Sequence, residues 1–141
     1  MNGQQKPSTG NLPPEQEVRA LVINDKPEDL VKWADQMGQR IARQITTSQI
    51  RNVFGTVRQI EMNWRSKPED SYRQAVLLKP KIGYAAARER GQGMKDLEAV
   101  LRPGLDAMME GKTMDEKRER FMRFAEFFEA ILAYHKKYGG N

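Results

Sequence analysis

The chain has no cysteine and a single histidine. The first absence removes any disulfide framework or thiolate metal site, and the second leaves a zinc ion dependent on carboxylates for nearly all its ligands. No run approaches the ~20 apolar residues of a membrane span, and the N-terminus lacks the apolar core of a signal peptide. The reading is a soluble, cytoplasmic chain with no membrane partner. No phosphate loop, dinucleotide fingerprint or nucleophile elbow is present. His135, on the aromatic side of the last predicted helix, reads as a packing or capping residue. The pairs Glu126/Glu129 and Asp115/Glu116 read as solvated partners of neighbouring lysines and arginines rather than magnesium ligands. Neither catalysis, nor a metal, nor a cofactor is expected. Sustained strand alternation is also missing, which leaves an all-α fold.

What is present is charge, unevenly placed. The 141 residues suffice for one hydrophobic core and carry a net charge of +5. Residues 1–45 hold six basic and six acidic side chains, and residues 93–141 hold nine of each. Residues 46–92 hold nine Lys/Arg against four Asp/Glu, so the whole excess lies in the middle third. Such a local field attracts polyanions; a solvated helix face in a basic protein is the plainer alternative.

The middle third opens with the stretch that organises the rest. Thr46 with Gln49 has the form of a capping box, and Ile50, Val53, Phe54, Val57, Ile60 and Trp64 then recur at helical spacing as one buried face. Arg51, Arg58 and Arg65 follow at heptad spacing as a second stripe flanking the apolar one. Gly55 sits inside this helix at a cost of ~1 kcal/mol relative to alanine, which implies a close approach to the backbone there.

The remaining pattern gives a bundle of about five helices over residues 15–141, behind a disordered tail at 1–14 rich in Gly, Pro, Asn and Gln. Residues 15–23 form a short helix or a packed arm. Asp25 with Glu28 marks a helix start, followed by the stripe Leu30, Ala34, Met37, Ile41 and Ile45. A helix opening at Glu69 and Asp70 is interrupted at Lys79-Pro80-Lys81 and resumes over 82–90. Lys81, Tyr84 and Arg88 share one face of it, a basic strip with an aromatic between its charges. That suits a nucleic-acid backbone with a stacked base or sugar; alternatively the Tyr84 ring closes the edge of the core and its hydroxyl meets water. A helix over 94–108, kinked near Pro103-Gly104, ends at Gly111, and Thr113 with Glu116 opens the last one. That last helix has an apolar face wider than one groove needs. It is therefore either the centre of the bundle or partly a contact surface, with Phe124, Phe127, Phe128 and Tyr134 as the candidates for meeting a partner or a copy of itself.

Three blocks, TTSQIR at 46–51, LKPKIGYAAAR at 78–88 and FFEAILAYHKKYGG at 127–140, together resemble one family, the small subunit of the type III-A CRISPR interference (Csm) complex. The resemblance runs from about residue 15 to the end. It implies a small non-catalytic helical bundle, present in more than one copy along the belly of the ribonucleoprotein, facing guide RNA and its paired target RNA. It assigns RNA cleavage to a neighbouring backbone subunit, and DNA cleavage and cyclic oligoadenylate synthesis to the large one. Carried over to these blocks, the candidate RNA-binding residues are Gln49 and Arg51 in the first, Lys79, Lys81, Tyr84 and Arg88 in the second, and Lys136 and Lys137 in the third. Arg58 and Arg65 join them through the heptad stripe alone. A free-standing single-strand nucleic-acid binder and a purely structural adaptor are the competing classes.

Overall fold

A computed structural model describes residues 12–141, and among them every regular element is helical. Six helices follow in order: α1 (Glu15–Ile23), α2 (Pro27–Ile41), α3 (Thr47–Asn63), α4 (Pro68–Arg88), α5 (Gly93–Met109) and α6 (Met114–Lys137). The expectation of about five is corrected to six. Residues 15–23 form a true helix, buried through Val18, Leu21 and Val22. The tail expected at 1–14 lies outside the described residues up to position 11. Pro13 is already buried and Leu12 packs on the core, so packing begins ahead of residue 15.

One proline reading is corrected: Pro80 lies inside α4 without breaking it, while α5 runs on through Pro103 as a single helix, as expected. Proline removes one helical hydrogen bond, but Ala75, Leu78, Ile82 and Ala86 form one continuous buried face on both sides of Pro80. Pro80 itself is exposed, where solvent can satisfy the freed carbonyl. The start of α2 also differs: its N-cap is Lys26 with Pro27 following, and the Asp25 side chain makes no cap. Pro27 is preset for a first turn, which explains the choice.

α6 is the axis of the bundle and packs against each of the other five helices. Phe121, Phe124, Phe127, Phe128 and Ile131 are fully buried along it, each contributing about 1.5–3 kcal/mol of burial. Phe128 stands edge-on to Phe54 of α3 at 5.2 Å, and Phe121 stacks on Trp64 at 5.3 Å. The wide aromatic face is thus satisfied inside the chain. Phe124, Phe127 and Phe128 are not an interface, and only Tyr134 remains partly exposed. α2 makes the closest crossing on α6. A side chain at Gly38 would come within 2.7 Å of the backbone at His135, so only glycine permits the approach. α2 and α5 are joined by a buried ion pair, Arg40 Nε to Asp96 Oδ2 at 2.9 Å, with Gln92 donating to the other carboxylate oxygen. Losing either charge would strand its partner.

Candidate nucleic-acid interface

α3 and α4 form an antiparallel pair beside α6, so the start of α3 meets the end of α4. The capping box at Thr46 is complete: the Gln49 N–H donates to the Thr46 hydroxyl at 3.1 Å, and the Thr46 N–H to Gln49 Oε1 at 2.8 Å. Gln49 also donates through Nε2 to Glu89 just beyond α4, at 2.8 Å. Its amide therefore works in the fold, pinning the two helix ends together. Lys95 of α5 reaches back to the carbonyls of Ala86 and Glu89, closing the end of α4.

Between these pinned ends lies an open cleft of about 640 Å³, lined by Ser48, Gln49, Arg51, Asn52 and Val53 of α3, Ala85, Arg88 and Glu89 around the end of α4, and Met94. Arg51 and Arg88 are both exposed. Arg88 comes within 3.6 Å of Glu89, while Arg51 makes no ion pair among the described residues. Lys81, exposed and likewise unpaired among them, continues the basic line back along α4. Tyr84 is 66% exposed, with the Arg88 guanidinium 5.9 Å from the centre of its ring. It does not close the core edge; that alternative is overturned.

The other predicted residues do not gather here. Arg58 sits between Glu61 at 3.8 Å and Glu129 of α6 at 4.0 Å, so its charge is shared with carboxylates. Burial pushes the Glu61 carboxyl above its ordinary value; Arg58 pulls it back, and Glu129 and Glu126 add to the rise. Arg65 is exposed beyond the far end of α3, about 21 Å of helix from Arg51. Lys79 turns the other way, to Asp106 of α5 at 2.5 Å. The heptad stripe is thus exposed along its whole length, but its charge is shared with carboxylates at Arg58 and only Arg51 lines the cleft.

Lys136 and Lys137 are exposed at the end of α6, at the same end of the bundle but outside the cleft lining. Lys137 lies over the rings of Tyr134 and Tyr138. Between them and α3 the chain is latched. His135, fully buried, donates from Nε2 to the carbonyl of Ile45 at 2.6 Å. The acceptor has no proton to give, so Nε2 carries it. Gly139 turns the chain in the left-handed region at φ 95°, and Gly140 lies flat on the His135 ring, where any side chain would overlap it. The Asn141 carbonyl accepts the Thr47 N–H, one of the donors left open at the start of α3. Tyr138 donates to Asp35 of α2 at 2.6 Å, and that bond pushes its hydroxyl above the ordinary value. His135 is therefore the packing residue expected, with a positioning consequence the sequence did not announce. Ser48 and Asn52, one helical turn apart on the cleft floor, also went unnoticed; their i, i+4 spacing beside Arg51 was the available signal.

Among the described residues, no group of three His, Asp or Glu side chains converges as a metal cage, and no helix is long and apolar enough to cross a membrane. No curated protein and no solved structure matches the chain. The sequence pattern of the Csm2 Type III-A family matches residues 24–141, which takes in α2 to α6 and the whole cleft. The chain therefore belongs to the Csm2 Type III-A family and is a small subunit of the type III-A Csm complex.

Proposed function

We propose that this subunit binds the guide–target RNA backbone through the cleft between the start of α3 and the end of α4, and stabilises the assembled complex for antiviral defence without chemistry of its own. The observation that carries this reading is the convergence of Arg51 and Arg88 in one open cleft, with exposed Lys81 extending it. Guanidinium forks suit phosphate, and contacts of this kind carry no base sequence. Gln49 acts by holding the cleft, and Arg65, Lys136 and Lys137 supply outlying charge. Arg58 and Lys79, already paired, contribute least. With the aromatic face of α6 buried, contacts to neighbouring subunits and to further copies of this chain fall to exposed apolar side chains such as Met62 and Leu77 on the α3–α4 pair.

The test uses complex reconstituted with guide RNA and either the natural subunit or the double variant Arg51→Glu, Arg88→Glu. Target RNA affinity at 0.15 M salt should fall at least ~10-fold, and the slope of log affinity against log salt should flatten by about 1–2 units. Thermal melting of the isolated variant should stay unchanged, and the natural subunit alone should leave RNA intact in Mg²⁺. Unchanged affinity and slope would place the RNA contact elsewhere, and metal-dependent cleavage lost on changing Glu126 or Glu129 would overturn the non-catalytic reading.

A further inference from the structure

Single apolar side chains in solvent are ordinary on helices, but Tyr84 is an aromatic ring set between cations. Tyr84 is 66% exposed on α4, one turn before Arg88 and three residues after Lys81. Among the described residues no aromatic ring lies against it, and the guanidinium of Arg88 stands 5.9 Å from its centroid. Exposed Lys81 lies on one side of the ring and Arg88, with the cleft beyond it, on the other, a charge placement complementary to a phosphate chain. A duplex offers no free base face to such a ring, since its bases are stacked on each other. An unpaired nucleotide does, and base–aromatic stacking tolerates any base because each has a π-face. Arg88 sits where it can close over the stacked base or neutralise its phosphate.

We infer that Tyr84 is a stacking platform for one unpaired nucleotide of the bound RNA, so that this face takes a strand with a base turned out of the duplex rather than uniform double helix. The inference rests on the proposed RNA-binding role of the cleft and is tested so that the two fail separately. Complex carrying guide RNA is assembled with Tyr84→Ala, with Tyr84→Phe, and with the Arg51→Glu, Arg88→Glu pair. Affinity for complementary target RNA is then measured across a salt series. Stacking releases no counterions, so Tyr84→Ala should lower affinity about tenfold at every salt concentration with the slope unchanged, while Tyr84→Phe stays within about twofold of the natural protein. The arginine pair should change the slope. If the arginines change it and Tyr84→Ala does nothing, the platform is wrong and the backbone contact stands. Were Tyr84→Ala to flatten the slope as the arginine changes do, the ring would serve only to hold Arg88, and the platform would again be wrong. If neither set has an effect, both readings fall together.

Discussion

The pair α2–α6 and the pair α3–α4 are built from similar helices and end in opposite conditions. At the α2–α6 crossing, Gly38 brings backbone against backbone, His135 is sealed under Gly140, and Tyr138 is tied to Asp35. On the α3–α4 pair, Gly55 and Gly83 face open space, Met62, Leu77 and Tyr84 stand in solvent, and Arg51 and Lys81 have no ion-pair partner among the described residues. The same residue type thus means different things on the two sides. At the crossing two helices meet backbone to backbone, whereas the α3–α4 pair packs one face on the core and keeps the other in solvent.

Substitutions can break that contrast from either side. The largest effect is expected from Gly38→Ala: the new methyl meets Tyr134 and backbone that cannot move, which should cost about 3 kcal/mol and roughly 10 °C of melting temperature. A variant that melts normally would mean the crossing is looser than its geometry. Next comes His135→Ala, which strands the Ile45 carbonyl and empties the space under Gly140. A loss of about 2 kcal/mol is expected by chemical denaturation. Faster amide exchange confined to the first turn of α3 would locate the damage, whereas exchange lost evenly would argue against a latch.

The open side should respond in the other direction. Gly55→Ala meets nothing within 4 Å and removes a helix-breaking residue, so the isolated subunit should gain about 1 kcal/mol. The sequence reading expected a close approach at Gly55, and none occurs within the chain. If the same variant weakens target binding in the assembled complex, the approach comes from a partner instead. The smallest change is expected from Glu61→Gln. Because its folded pKa lies above the ordinary value of 4.5, the folded state holds that proton more tightly, and ionised Glu61 lowers stability once pH has risen through the raised value. The variant should melt slightly higher than the natural protein at neutral pH, and the gap should vanish below the ordinary carboxylate range. A lower melting point at neutral pH would show that the pairing with Arg58 outweighs the burial.

Periodicity read the buried faces well: Ile50, Val53, Val57, Ile60 and Trp64 are all in the core, and the Thr46 box is formed as its spacing requires. It also marked the basic middle third and, within it, Arg51, Lys81 and Arg88. It failed wherever the answer depended on a neighbouring helix. A helical wheel shows that Arg51 and Arg58 share a side but not that Glu129 waits opposite only one of them. It shows a broad aromatic face on α6 but not that five helices surround it. Proline signals misled because local propensity at Pro80 is worth less than the buried face continuing past it. Gly38 gave no signal at all, since in a single sequence a mid-helix glycine at a crossing looks like one in solvent.

The tie between Asn141 and Thr47, with His135 on Ile45, spans most of the polypeptide in sequence. During synthesis α3 and α4 leave the ribosome early, and their arginines are available long before anything fixes the first turn of α3. Residues 135–141 must emerge before that turn can be fastened, so the cleft beside it matures later than the helices that line it. A nascent chain that has not yet released residues 135–141 would show its basic middle third with the first turn of α3 still unfastened.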